Sequence, residues 1–160
     1  MLLLIGGLSG AGKSELGRYL EKSRGFRWIE LDRGFGGTDQ VDRLAIRREW
    51  ESFLAGDPAA LIRLYPGATA VTIASLPIVR APMYQDGGWV RVRYLTGAPG
   101  KCFGRANGRT PEIDRDHWNR YNGELLSYLR ECPAEWKVNV FDDAGNARPI
   151  EDIADEVLGN

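Results

Sequence analysis

Residues Gly7-Leu8-Ser9-Gly10-Ala11-Gly12-Lys13-Ser14 fit the pattern G-x-x-x-x-G-K-[ST], and this octet with its flanks constrains the fold more than any other stretch. The apolar run Leu2-Leu3-Leu4-Ile5 before it reads as a short buried strand, and Glu15 to Leu20 after it reads as a helix with Leu16 and Leu20 on one face. Strand, glycine loop and helix form the context in which such a pattern cradles phosphate. Glycines let backbone N–H groups converge on phosphate oxygens without Cβ atoms in the way. The helix N-terminus adds about half a positive charge and unpaired donors. The expected cradle is Gly7, Ser9, Gly10, Ala11, Gly12, Lys13, Ser14 and Glu15. In it Lys13 reaches the β- and γ-phosphates of a nucleoside triphosphate, and the Ser14 hydroxyl serves Mg²⁺. An ordinary glycine-rich turn is the competing reading, and the complete pattern in this context outweighs it.

The rest of the chain alternates strands and helices. Residues 26–31 read as a second strand ending at Asp32, and Gly34, Gly36 and Gly37 follow as a loop. Residues 39–54 read as a helix with Val41, Leu44, Ala45 and Phe53 as core positions. Gly56-Asp57-Pro58 breaks it, and Pro58 opens a short helix through Leu64. The β-branched run 68–74 reads as a central strand. Residues 89–95 read as the next strand, and alternation of Arg91 and Arg93 marks its less buried face. A long helix carries Trp118, Tyr121, Leu125 and Leu129 and stops at Cys132-Pro133. Residues 136–141 read as a fifth strand, and Pro149 opens a last helix with Ile150, Ile153, Ala154 and Val157 on one face. This order predicts an α/β fold: one domain over residues 1–160, with a mostly parallel five-stranded sheet flanked by helices. Ligand then belongs at the carboxyl ends of the strands.

Composition narrows the partners. With 21 Lys+Arg against 22 Asp+Glu, the net charge is −1, which argues against coating nucleic acid by bulk charge but leaves room for a local basic groove. The two cysteines, Cys102 and Cys132, make no zinc-like cluster and read as free thiols of a reducing compartment. The apolar start is too short for a membrane span and runs straight into the glycine loop. No membrane partner and a cytoplasmic location are therefore expected.

Three features together resemble the small P-loop kinases, the group of the shikimate, gluconate and adenylylsulfate kinases and the kinase domain of phage polynucleotide kinase. The octet matches their phosphate loop, Ile29-Glu30-Leu31-Asp32 matches an Asp that closes strand two, and Arg105-Ala106-Asn107-Gly108-Arg109 matches an Arg-x-x-x-Arg lid after strand four. The likeness covers the whole chain in outline. Between Gly104 and Tyr121 the spacing of Arg105, Arg109, Ile113-Asp114, Trp118 and Tyr121 looks most like the polynucleotide-kinase branch. The resemblance implies ATP and Mg²⁺ as cofactors, Asp32 as the base for the acceptor hydroxyl, and Arg105 and Arg109 as a lid on the γ-phosphoryl group. Without it, Asp32 reads equally as a turn cap, and Arg105 and Arg109 as a solvated helix face. Trp118 and Tyr121 read as core and not as stacking platforms, and His117, the single histidine, is given no role.

Two departures matter. The polynucleotide-kinase branch carries an Arg where this chain has Phe35, so Arg33 or Arg43 is left to orient the acceptor beside Asp32, with Arg80. Strand three ends Ile73-Ala74-Ser75 without the acidic residue of a motor ATPase, and no guanine-reading Asn-Lys-x-Asp is present. The expected activity is transfer of the γ-phosphate of ATP to a hydroxyl. The lid favours a nucleic-acid or nucleotide acceptor: a 5′-hydroxyl, or a hydroxymethyl base in DNA such as hydroxymethyluracil. A small-metabolite kinase acting on a sugar acid, alcohol or nucleoside is the alternative, and a non-catalytic nucleotide switch is a third. Arg47 and Arg48 offer further phosphate contacts, and Ser75 to Gly88 supplies candidate acceptor-site residues, among them Pro77, Arg80, Pro82 and Tyr84.

Overall fold

The computed structural model describes residues 1–31, 40–73, 88 and 90–159. At its centre is strand β1 (Leu2–Gly7), buried along its whole length. A continuous apolar run without alternation suits a strand covered on both faces. Its flanks pair in parallel with β3 (Thr69–Thr72) and β4 (Val90–Thr96), so that Leu2 stands level with Thr69 on one side and Val90 on the other. β2 (Arg27–Glu30) extends the sheet beyond β3, and β5 (Lys137–Asn139) extends it beyond β4, both in parallel. The order is β2-β3-β1-β4-β5, and all four pairings are parallel. With every strand pointing one way, the carboxyl ends share an edge, and the loop after β1 lies in its middle.

Among the described residues six helices accompany these strands: α1 (Lys13–Arg24), α2 (Gln40–Leu54), α3 (Pro58–Leu64), α4 (Pro99–Arg109), α5 (Arg115–Glu131) and α6 (Ile150–Leu158). Leu16 and Leu20 of α1, and Ile153, Ala154 and Val157 of α6, are buried as their periodicity requires. α3 is capped by Asp57, whose side chain accepts the Ala59 N–H, and α5 by Asp114, whose side chain accepts the His117 N–H. The Arg alternation of β4 holds: Val90, Val92 and Tyr94 are buried, while Arg91 and Arg93 are half-buried.

Several expectations are corrected. On α2, Leu44 is 58% exposed and Ala45 is exposed, while Trp50 and Phe53 face the core. Leu44 lies nine residues, about two and a half turns, before Phe53 and so on the opposite side. The Trp50 indole N–H donates to the Tyr65 hydroxyl at 3.1 Å and its ring meets Phe53 edge-on, closing the inner side of α2 and α3. The Val41 side chain lies outside the described residues. Tyr121 is 50% exposed and not core, whereas Trp118 is buried as expected. The fifth strand is shorter than residues 136–141: Trp136 closes a 3₁₀ turn, and Phe141 leaves the sheet to bridge Ala147. Cys102 and Cys132 are free and buried. Among the described residues no helix is long and apolar enough to cross a membrane.

Candidate active site

The loop between β1 and α1 takes backbone conformations that its glycines permit. Gly7, Gly10 and Gly12 have φ of +143°, +88° and +91°. Gly10 is needed for space as well, since a Cβ there would lie 1.9 Å from the Cys102 carbonyl oxygen on α4. Gly12 is the N-cap of α1, and no described side chain caps that helix. Its first N–H groups, from Lys13 onward, have no intrahelical partner by position and border the loop, which suits a bound anion.

Lys13 is 7% exposed, and its Nζ donates to the Gly7 and Leu8 carbonyls at 3.0 and 3.3 Å. The ammonium is thus held within the loop it would serve. The Ser14 hydroxyl donates to a Glu30 carboxylate oxygen at the end of β2. Sequence reasoning passes over Glu30; the signal available was a carboxylate closing a strand two residues before Asp32. A hydroxyl and a carboxylate are hard oxygen donors of the kind Mg²⁺ takes, usually with water completing the shell. Among the described residues no cluster of three or more His, Cys, Asp or Glu could hold a metal by itself.

Arg105 projects from α4 over the loop. A Cβ on Gly12 would lie 3.6 Å from its guanidinium, which donates to the Glu15 carboxylate at 3.1 Å. Both partners are exposed, and such pairs are weak, so Arg105 is free to exchange Glu15 for a stronger anion. Arg109 follows one turn on, exposed, with its Nε donating to the Arg105 carbonyl at 3.4 Å. Burial pushes the Cys102 thiol up in pKa, while the charges of Arg105 and Lys13 pull it back.

The loop is also tied to α5. The buried Asn122 side chain accepts the Ser9 N–H at 2.9 Å, and the Trp118 indole N–H donates to the Ser9 carbonyl at 3.1 Å. The Ala11 N–H donates to the Leu8 carbonyl within the loop. Ser9 and Ala11, both expected in the cradle, therefore direct their N–H groups into the protein.

The acceptor side is less complete. Asp32, Arg33 and Arg80 lie outside the described residues, as do Phe35 and most of Ser75 to Gly88. Arg43 stands on α2, its side chain outside them too. Arg47 pairs with Glu51 along α2, and Arg63 of α3 pairs with Glu49 and Asp57, as solvated helix charges do.

No family model and no curated protein matches this chain. Solved structures do. A gluconokinase from Sinorhizobium meliloti 1021 is 20% identical, with a TM-score of 0.55 over 98% of this chain and 89% of that one. A shikimate kinase from Bacteroides thetaiotaomicron is 19% identical, with a TM-score of 0.54 over 99% and 95%. A deoxyadenosine kinase from M. mycoides, solved with bound dCTP, is 14% identical, with a TM-score of 0.52 over 99% and 97%. At these identities the likeness speaks for architecture: the chain has the α/β fold of these P-loop kinases, a five-stranded parallel sheet flanked by helices.

Proposed function

We propose that the chain is an ATP-dependent phosphotransferase whose acceptor is a small hydroxyl-bearing molecule such as a sugar acid, another alcohol or a nucleoside. The observation that carries this reading is the set of groups converging on one loop: Lys13 within it, the Arg105 guanidinium over Gly12, and the Ser14 hydroxyl against Glu30. In this reading Lys13 and the cradle N–H groups hold the β- and γ-phosphates. Ser14 and Glu30 hold Mg²⁺ through oxygen. Arg105, joined by Arg109, neutralises charge on the γ-phosphoryl oxygens. The acceptor oxygen attacks the γ-phosphorus as the bond to the β-γ bridging oxygen breaks and ADP leaves. The acceptor's proton passes to the Asp32 carboxylate. Support for a small acceptor comes from the structural neighbours, which are named as kinases of gluconate, shikimate and deoxyadenosine. They favour it over the polynucleotide-kinase-like branch and its DNA acceptor.

The test is ADP release and γ-phosphate transfer over a panel of gluconate, shikimate, deoxyadenosine, DNA with a free 5′-hydroxyl and DNA carrying hydroxymethyluracil for thymine. Transfer to a small hydroxyl compound, stopped by EDTA and cut by at least about a hundredfold in Asp32→Asn, is the expected result. Label on DNA alone moves the acceptor to nucleic acid. ATP binding with no transfer to any of the five favours the non-catalytic switch.

A further inference from the structure

Asn122 is a polar residue where the pattern of α5 calls for an apolar one. Trp118, Leu125 and Leu129 face the core around it, and it is 0% exposed. An amide is costly to bury unless its hydrogen bonds are made. Here they are. Nδ2 donates to the Trp118 carbonyl one turn back at 2.8 Å, which fixes the orientation of the amide. Oδ1 then faces outward from the helix and accepts the Ser9 N–H, 113 residues away in the chain, at 2.9 Å. Trp118, on the same helix face four residues earlier, donates its indole N–H to the Ser9 carbonyl at 3.1 Å. The peptide groups on both sides of the Ser9 α-carbon are thus held by one helix.

Ser9 precedes Gly10 in a loop where Gly10 and Gly12, like Gly7 at the end of β1, have positive φ. Such a loop has much conformational freedom to lose on gripping a ligand. A clamp that fixes it beforehand removes that cost from binding. The clamp also governs Lys13, whose bonds run to carbonyls of the same loop. We propose that Asn122 is a positioning residue that, with Trp118, locks the phosphate loop in its nucleotide-receiving shape from the helix that follows the Arg-bearing α4. It touches no substrate and acts through Ser9. The inference rests on the nucleotide-binding part of the proposed function.

The test compares the whole chain with Asn122→Leu, Asn122→Asp and Leu125→Ala. Leu125 is equally buried one turn along α5 and has no polar group to reach the loop, so it reports loss of core alone. Binding of ATP with Mg²⁺ is measured by calorimetry where all variants are folded, and exchange of the Ser9 amide hydrogen by NMR. Asn122→Leu should weaken ATP by about tenfold and expose the Ser9 amide. Leu125→Ala should bind ATP within about twofold of wild type and keep that amide protected. Asn122→Asp retains an acceptor and should restore Ser9 protection, which decides the matter if Asn122→Leu does not fold. Equal ATP affinity in Asn122→Leu and wild type, equal losses in Asn122→Leu and Leu125→Ala, or a Ser9 amide unprotected in wild type or Asn122→Asp overturns the proposal. A wild type that binds no ATP is a different failure: it removes the nucleotide reading, and the clamp's role falls with it.

Discussion

A Cβ on Gly17 would lie 2.1 Å from the Trp28 indole nitrogen, so α1 and β2 meet there at a distance that only glycine allows. The indole N–H donates to the Thr72 hydroxyl at 3.0 Å, and the Arg18 guanidinium lies over the ring, 5.5 Å from its centroid. The same close approach brings Ser14, one turn earlier on α1, to Glu30, two residues after Trp28 on β2. Gly17→Ala gains about 1 kcal/mol of helix propensity but overpacks this contact at about 1–3 kcal/mol, and it strains the Trp28–Thr72 bond. The expected net is a loss of about 1–2 kcal/mol, or a melting temperature about 2–8 °C lower by differential scanning calorimetry. A melting temperature equal to or above wild type would mean that the indole yields freely. Glu30 and Gly17 were not legible in the sequence for one reason: their importance lies in a distance between two elements, which no local pattern encodes. The phosphate loop is the opposite case, since its glycine spacing and its flanks are local.

α5 starts at one carboxylate. Asp114 accepts the His117 N–H at 2.7 Å, satisfying one of the unpaired donors of the first turn. That turn carries Arg115, which lies 4.9 Å from the Phe103 ring centroid and 5.7 Å from that of Trp118, and so links α4 to α5. Asp114→Ala should cost about 1 kcal/mol in urea unfolding with an unchanged slope, the amount usual for a lost cap. No change in the midpoint would mean that the ring contacts alone hold the turn. The helix itself was legible from Trp118, Leu125 and Leu129. Its inward face was misread at one step: Tyr121 points out, and Asn122 takes the inner position. Hydrophobic periodicity gives weight to apolar residues and so assigns the tyrosine to the core. It has no means of recognising an amide buried because its partner is a backbone group from the far end of the chain. α2 fails similarly at Leu44, where the surface carries an apolar residue that periodicity claims for the core.

At the scale of the molecule, alternating strands and helices with a fully apolar first strand were enough to read a parallel α/β sheet, because a strand buried on both faces needs helices on both sides. The strand order was not readable, since parallel neighbours are joined by long crossovers with no pairing signal of their own. The acceptor of the proposed transfer was not readable either, because one fold serves many chemistries and fold alone does not name a substrate. What the architecture does determine is where the binding energy of a ligand on the β1–α1 loop, the nucleotide of the proposed function, would act. The loop contacts β4 through Leu95, α4 through Cys102 and α5 through Trp118 and Asn122, and it opens α1. A ligand there couples to much of the sheet edge, so its binding should appear as global stability. ATP with Mg²⁺ at a hundred times its dissociation constant should add about 2.7 kcal/mol. For a chain of this length that is a rise of about 5–11 °C in melting temperature. Lys13→Ala removes the ammonium together with its hydrogen bonds to the Gly7 and Leu8 carbonyls. It should melt within a few degrees of wild type without ligand, lose most of the ATP-induced rise and lose turnover. A rise undiminished in Lys13→Ala would place the nucleotide away from this loop, and with it every role assigned to Ser14, Glu30 and Arg105.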